Sequence, residues 1–173
     1  MIRLVKLSMA HLKHVMRWVN DPQVTQYFAG LQKAITEEQE RGFLEKLIAS
    51  PTDKVFSVFD GRKYIGQVSV NQIHWPSGEG RLFLVITRKH QGKGYAKDIV
   101  HAIQDKAFGE LGLHRIYLIV REDKRRSVQL YHKCGFRQEG VLYDKYKIGG
   151  AWINMLQMAI IEPWWKTWWK ERG

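Results

Sequence analysis

The sequence is poor in cysteine and in long apolar runs. Cys134 is its one cysteine, so no disulfide can form within the chain and no cysteine cluster can hold zinc. No run approaches the ~20 apolar residues of a membrane-spanning helix. The first residues, Met1-Ile-Arg-Leu-Val-Lys6, lack the apolar core of a signal peptide. We therefore expect a soluble, cytoplasmic protein with no membrane partner and no metal.

Acidic residues are also scarce relative to basic ones. The 28 lysines and arginines outnumber 17 aspartates and glutamates, for a formal net charge of +11. Such a charge invites a nucleic-acid interpretation. However, only the stretch Arg121–Arg126 is dense in cations, and a ligand with several phosphates accounts for it equally well. We therefore do not expect nucleic acid as a partner.

The rest of the composition is that of a globular protein. Hydrophobic residues make up 45% and charged residues 26% of 173 positions, which excludes a disordered chain. A chain of this length buries a substantial core and predicts one domain, residues 1–173.

Apolar periodicity and turn residues predict a mixed α/β order of elements. Because a helix lies between the strands at 81–87 and 114–120, these two strands are expected to be parallel through a right-handed crossover. The predicted strands are 2–7, 55–59, 64–73, 81–87, 114–120, 143–148 and 152–161, with another starting at Phe136. The predicted helices follow Ser8 and Thr36 as caps and span 95–111, 127–134 and part of 163–173.

The helix after Thr36 begins with a capping box, Thr36-Glu-Glu-Gln39. Its apolar face is predicted to comprise Phe43, Leu44, Leu47 and Ile48. The glutamates at positions 37, 38, 40 and 45 are interpreted as a solvated face that complements the helix dipole, with cation binding as the alternative.

The turn between the fourth strand and the long helix has the composition of an anion-binding loop. Its sequence is Gln91-Gly-Lys-Gly-Tyr-Ala96. Glycines let the backbone approach a ligand, and the first N–H groups of a helix have no intrahelical partners, so they can bind phosphate oxygens. Lys93 adds a positive charge. Neither the GxxxxGK[ST] spacing nor a GxGxxG with an acid about 20 residues later is present, which argues against two common nucleotide-binding turns.

Two motifs resemble those of a known family. Gln91, Gly94 and Ala96 match the (Gln/Arg)-x-x-Gly-x-(Gly/Ala) loop of the GNAT N-acetyltransferases, and Ser127–Phe136 matches a second pattern at the expected distance. With the flanking pattern, the resemblance covers nearly the whole chain. It implies the GNAT fold, an α/β structure with a mixed central sheet of about seven strands and helices on both faces.

Within that superfamily the chain resembles the branch of ribosomal-protein N-terminal and polyamine acetyltransferases. The shared stretches are Trp18-Val-Asn-Asp-Pro-x-Val24 and Glu139-Gly-Val-Leu-Tyr-Asp144. Tyr143 and Asn154 stand where an arginine and an aspartate are common. The resemblance therefore does not identify the acceptor.

The resemblance implies a binding site for acetyl-CoA as co-substrate. The glycine loop would hold its pyrophosphate, and a backbone N–H at Val85 or Ile86 would meet the thioester carbonyl. Lys124 or Arg125 replaces a family asparagine, and a cation there can contact phosphates or pantetheine, while Ser127 is predicted to cap its helix. The implied binding residues are Val85, Ile86, Gln91, Gly92, Lys93, Gly94, Tyr95, Ala96, Lys124 and Ser127.

The resemblance also implies catalytic residues. Tyr131 occupies the position of the family's proposed general acid, and a phenol of reference pKa near 10 can protonate a thiolate of reference pKa about 8.5. Glu79 is the candidate general base, although one residue of strand register decides whether it faces the site or solvent. Asp144, His74, His114 and a chain of waters are the alternatives.

We therefore expect an acetyl-CoA-dependent N-acetyltransferase. A primary amine would attack the thioester directly, through a tetrahedral intermediate, and the acceptor would be a protein N-terminus, a polyamine or another small amine. The alternative is a non-catalytic basic nucleic-acid-binding module on the same fold. A monomer or homodimer is expected.

The C-terminal tail carries four tryptophans on one predicted helical face, at positions 164, 165, 168 and 169. Burying each gains roughly 2 to 3 kcal/mol, so they are expected to cover an apolar surface. Packing against protein is favoured over a membrane interface, because the latter needs a longer amphipathic helix and isolated helices this short are marginal in water. The edge of the domain itself is favoured over a second subunit.

Overall fold

A mixed sheet forms the centre of the fold. In the computed structural model, which describes residues 1–25 and 33–171, seven strands lie in the order β1-β2-β3-β4-β5-β7-β6. β4 and β5 are parallel, and the other neighbours are antiparallel. The strands are β1 (Ile2–Lys6), β2 (Lys54–Asp60), β3 (Lys63–His74), β4 (Glu79–Ile86), β5 (Arg115–Arg121), β6 (Arg137–Ile148) and β7 (Ala151–Ile161). The predicted sheet and its parallel crossover are confirmed.

Six α-helices are present in the described residues. They are α1 (Leu12–Val19), α2 (Pro22–Thr25), α3 (Glu37–Ala49), α4 (Tyr95–Gln104), α5 (Arg125–Lys133) and α6 (Glu162–Lys170). α4 continues as a wider π-helical segment over Asp105–Glu110 and ends before Gly112, whose φ of +65° is left-handed as predicted. No helix in these residues is long and apolar enough to span a bilayer.

Helices cover both faces of the sheet, as expected. On one face, an apolar cluster that we call the α4 cluster includes Ile99, Ile103, Ile116 and Ile160 and receives side chains from α5 and α6. On the other, the α1 cluster includes Val15, Trp18, Leu44 and Tyr64. Because successive side chains of a strand point to opposite faces, β4 contributes to both clusters and is apolar on both sides.

The start of α3 is as predicted, but its buried face is not. Thr36 Oγ1 accepts from the N–H of Gln39 at 3.2 Å, and Gln39 Oε1 accepts from the N–H of Thr36 at 2.9 Å. Leu44 is buried, whereas Phe43 is 54% exposed, and Glu40 is only 3% exposed. Glu40 and Leu44 are four residues apart and share the face toward α1, so the predictions of a buried Phe43 and a solvated Glu40 were wrong. Burial raises the pKa of Glu40.

The tryptophan-rich tail packs on its own domain. The ring of Trp165 lies 5.2 Å from that of Phe108, and the ring of Trp168 lies 4.9 Å from that of His101 on α4. The predicted closure of the domain by its own tail is therefore confirmed for these two side chains. Trp164, which packs on the α4 cluster, agrees. The side chain of Trp169 lies outside the described residues.

Candidate active site

β4 and β5 separate after a short parallel contact. Their pairing covers Glu79–Arg81 and Arg115–Tyr117, although β4 continues to Ile86 and β5 to Arg121. On its other side β4 remains paired with β3 as far as Ile86. A gap therefore opens between the carboxyl-terminal halves of two parallel strands, a position where α/β sheets bind ligands.

The backbone of β4 directs polar groups into this gap. The N–H of Thr87 donates to a β3 carbonyl at 2.9 Å. Because N–H groups alternate in direction along a strand, the N–H of Ile86 points away from β3 and into the gap. The amide Nε2 of Gln91 reaches the Ile86 carbonyl from that side at 3.0 Å. Of the two N–H groups named from the sequence, that of Val85 instead faces β3, and its side chain is buried.

The loop after β4 forms an open cradle at the end of the gap. Gly92 and Gly94 have left-handed φ angles of +73° and +85°, and a Cβ on either would meet no atom within 4 Å. Gly94 occupies the N-cap position of α4, so the first N–H groups of that helix follow it directly. Bare backbone, free space and helix N–H groups together fit a pyrophosphate.

Side chains around the cradle hold its shape. The hydroxyl of Tyr95 donates to Asp60 Oδ2 at 3.1 Å, and this bond raises the pKa of Tyr95. His90 is buried, with its Nδ1 2.7 Å from the Thr87 hydroxyl. Tyr95 therefore offers the cradle its backbone N–H rather than its side chain, whereas the exposed Lys93 is free to approach a ligand.

The start of α5 lies beside the same end of the gap, because α5 follows the carboxyl end of β5. Its first residue is Arg125, and Lys124 occupies the N-cap position without a side-chain cap hydrogen bond. Ser127 is therefore in the first turn, and the prediction that Ser127 caps the helix was wrong. Its N–H belongs to the first turn of α5. The N-termini of α4 and α5 thus each follow the carboxyl end of one of the two parallel strands that border the gap, where an anionic ligand is expected.

Tyr131 lies on α5 and packs against the α4 cluster. Its ring contacts Phe136 edge-to-face, with centroids 5.7 Å apart. Desolvation of the phenol raises the pKa of Tyr131 to about 12. The hydroxyl therefore remains protonated across the physiological range, as a proton donor requires.

Glu79 does not lie at the gap. Arg115 Nε donates to its carboxylate at 2.5 Å, and the same guanidinium forms a bidentate pair with Glu139. These bonds lower the pKa of Glu139. Glu79 precedes Ile86 by seven residues, a distance of about 23 Å along an extended strand. It is therefore too far away to take a proton directly from an amine at Ile86.

The weaker candidates for a base belong to other local arrangements. His74 Nδ1 lies 2.8 Å from the hydroxyl of Ser77, in the turn that precedes β4. Asp144 has a φ of +47° in an irregular part of β6, and its N–H donates to Asn154 Oδ1 at 3.0 Å. Asn154 in turn donates to Glu122 at 3.1 Å, so it orders the hairpin next to the end of β5.

A basic cavity of about 730 Å³ lies beside the end of β4, toward α1. We did not predict it from the sequence. Its lining consists of His14, Arg17, Asp21, Arg62, Lys63, Tyr64, Thr87, Arg88 and Lys89. The available signal was two pairs of adjacent cations, 62–63 and 88–89, which meet only because the start of β3 pairs with the end of β4.

Comparison with known proteins adds a family assignment. Residues 2–137 match the family model described as an acetyltransferase (GNAT) domain. A spermidine N(1)-acetyltransferase of Vibrio cholerae is 33% identical over 68% of this chain and 68% of its own length. The Escherichia coli K12 spermidine N(1)-acetyltransferase is 28% identical over 93% of this chain and 86% of its own length.

A solved structure has the same fold. The crystal structure of Vibrio cholerae spermidine N-acetyltransferase in complex with CoA and spermine superposes with a TM-score of 0.91 at 26% identity. The superposition covers 95% of this chain and 98% of that one. These relatives are all named as acetyltransferases, and they lend no support to a nucleic-acid-binding module.

Proposed function

Because the chain belongs to the GNAT acetyltransferase family, we propose that the gap between β4 and β5 is where it transfers the acetyl group of acetyl-CoA to a small primary amine. The enzyme class, an acetyl-CoA-dependent N-acetyltransferase, follows from the family. The observation that carries the choice of site is the separation of β4 from β5 directly beside the glycine cradle. A cytoplasmic location and a monomeric or homodimeric state remain predictions from the sequence.

The chain's own groups supply the binding and the catalysis. The cradle and the two helix N-termini bind the pyrophosphate, which positions the thioester in the gap. The N–H of Ile86 then donates to the carbonyl oxygen as negative charge develops on it, a contribution of about 3 kcal/mol in the transition state. Tyr131 gives its proton to the departing thiolate. Since Glu79 is remote, we assign deprotonation of the amine to solvent.

The relatives suggest which acceptors to test first. Two are named for spermidine, and the solved neighbour contains spermine, so a polyamine is the acceptor class that the comparisons favour. A protein N-terminus is the second class, from the resemblance to the branch that acetylates ribosomal proteins.

An amine panel tests the proposed function. Purified protein with acetyl-CoA is incubated with spermidine, small monoamines and a peptide with a free N-terminus, and release of free CoA is followed. We expect amine-dependent release, with mass spectrometry showing one acetyl group on the product. Release that does not depend on any amine, or no release at all, would contradict the proposal.

The acid role of Tyr131 predicts the effect of removing its hydroxyl. Tyr131→Phe removes one oxygen from a packed ring, so the fold is retained, and kcat is expected to fall 10- to 100-fold with KM for acetyl-CoA nearly unchanged. Because the pKa is raised to about 12, the acid form persists through pH 10, and the loss should be constant from pH 6 to 10.

Glu79→Gln is the matched control for Tyr131→Phe. It removes a charge that lies outside the gap and leaves the pair between Arg115 and Glu139 in place. We expect kcat within about 3-fold of the wild type. An unchanged kcat in Tyr131→Phe, when chemistry limits turnover, would contradict the acid role of Tyr131. A loss of more than about 3-fold in Glu79→Gln would show that Glu79 contributes to the reaction.

A further inference from the structure

The basic cavity concentrates five cations around one lining acid. Five of its nine lining residues are Arg17, Arg62, Lys63, Arg88 and Lys89, and its one acid is Asp21. Among residues 1–25 and 33–171, none of the five forms a salt bridge or side-chain hydrogen bond. By contrast, the guanidinium groups of Arg41, Arg115 and Arg121 are each paired with a carboxylate. Clustered like charges repel one another, so this arrangement is stabilised by a bound anion.

Neighbouring positive charges also lower the pKa of two histidines, His14 and His90. The pKa of His14, which lines the cavity, is lowered by burial and by the charges of Arg17 and Lys89. The pKa of His90 is lowered by burial and by neighbouring lysines. His14 also stacks on Tyr64 with ring centroids 4.7 Å apart, and its buried Nδ1 has no hydrogen-bond partner in the described part of the chain. The cavity thus combines cations with an aromatic wall.

We assign the cavity to the acceptor because the proposed function gives the N-termini of α4 and α5 to the co-substrate, and the cavity lies beside the end of β4 toward α1. Thr87 lines the cavity and directly follows Ile86, whose N–H points into the gap. A volume of about 730 Å³ exceeds the needs of a single phosphate and has room for the molecule attached to it.

The charge of the cavity lining is unfavourable for a polycation. A smaller cavity of about 460 Å³ near the start of β4 is lined by Arg81, Arg115 and Lys145, with Glu79 as its one acid. That acid is held by Arg115. Together the described linings of the two cavities contain eight lysines and arginines against two acids, Asp21 and Glu79, so they offer few carboxylates with which to bind several ammonium groups.

We propose that the basic cavity binds a phosphate group of the acceptor, so that the preferred substrate is a primary amine that also carries a phosphate. This inference rests on the proposed function, because it names the acceptor of that same site. Arginine guanidinium groups pair with phosphate in a bidentate manner, and two arginines from outside the Gln91–Ala96 loop line the cavity, Arg17 on α1 and Arg62 in the β2–β3 turn. They select the acceptor, whereas the cradle binds the co-substrate.

Matched pairs of amines test the proposal. Ethanolamine is compared with O-phosphoethanolamine, glucosamine with glucosamine 6-phosphate, and spermidine is included as the polycation. We expect kcat/KM for at least one phosphate-bearing amine to exceed that of its phosphate-free partner by about 10-fold or more, since charge-assisted hydrogen bonds are the strong ones. Spermidine is expected to be poorer than that phosphate-bearing amine. Equal kcat/KM within both pairs, or spermidine as the best acceptor, overturns the proposal.

A double variant ties the preference to the cavity. The double variant Arg17→Gln, Arg62→Gln changes two exposed side chains. In it, the ratio of kcat/KM for the preferred phosphate-bearing amine to kcat/KM for its phosphate-free partner is expected to fall to about 1. Arg41→Gln, which removes an exposed guanidinium from α3 outside the cavity, should keep the wild-type ratio of kcat/KM values. Thermal unfolding of each variant shows that the fold is intact.

The remaining outcomes distinguish a phosphate of the acceptor from the phosphates of acetyl-CoA. They also distinguish failure of this inference from failure of the proposed function. If the double variant keeps the ratio and instead raises KM for acetyl-CoA, the cavity serves the phosphates of the co-substrate, and the inference is overturned. If amines are acetylated alike with and without phosphate, the inference fails while the proposed function stands. If no amine promotes release of CoA, both fail.

Discussion

Gly94→Val is expected to raise the Kd for acetyl-CoA by about 100-fold or more. The φ of Gly94 is +85°, which a branched side chain adopts only with strain, and its Cβ would enter the open space of the cradle. The pyrophosphate would lose contacts with backbone N–H groups, each a charge-assisted bond worth about 1.5 to 3 kcal/mol. Isothermal titration calorimetry measures the change directly.

Gly150→Val is a closely matched control for the same strain. Gly150 has a φ of +82° in the β6–β7 turn, and a Cβ there also meets no atom within 4 Å. Both variants should lose similar thermal stability, but only Gly94→Val should lose acetyl-CoA binding. If the two variants bind acetyl-CoA equally well, the pyrophosphate lies elsewhere.

Truncation after Ile161 is expected to lower the free energy of unfolding by about 3 to 5 kcal/mol. It removes α6 and with it three partly buried tryptophans, at positions 164, 165 and 168, each of which would gain roughly 2 to 3 kcal/mol if fully buried. For a domain of this size, that loss corresponds to a fall in Tm of about 10 °C or more. The described contacts of α6 lie within the chain, so the mass in solution should stay that of the full-length oligomer.

Point variants distinguish the effect of α6 packing on Tm from the effect of shortening the chain. Trp165→Ala removes the ring that contacts Phe108 and should reproduce much of the fall in Tm, whereas Trp152→Ala changes a side chain that is 60% exposed and should have little effect. Thermal unfolding and sedimentation velocity are measured on all three proteins. An unchanged Tm would contradict the packing role, and a dimer that becomes a monomer would assign α6 to an interface instead.

Much of the cradle could be predicted because its chemistry is local. Gly92 and Gly94 tolerate left-handed backbone that other residues adopt only with strain, and a strand before the loop and a helix after it are visible as periodic apolar residues. The capping box at Thr36 is equally local, because the donors and acceptors lie within four residues. Tyr131 was identified by resemblance, and the structure adds the raised pKa that keeps it protonated.

The sequence was least informative where a side chain depends on a partner distant in sequence. Glu79 and Arg115 are 36 residues apart, and the register of β4 with β5 decides that they pair. The periodicity of α3 did not reveal that Glu40 would face α1, because neighbours on the same helix do not determine which face is covered. Ser127 was placed one turn out of position, since helix ends are weakly encoded when no side chain caps them.

The sequence by itself determined the order of elements, the parallel crossover, the glycine cradle and the enzyme family, because each depends on residues near one another in the chain or on motifs of fixed spacing. Tertiary structure alone decided which N–H of β4 faces the gap, since that follows from pairing with β3. It also assembled the basic cavity from α1, the β2–β3 turn and the end of β4. Those segments are separated by tens of residues, and electrostatic fields add up in space rather than along the chain.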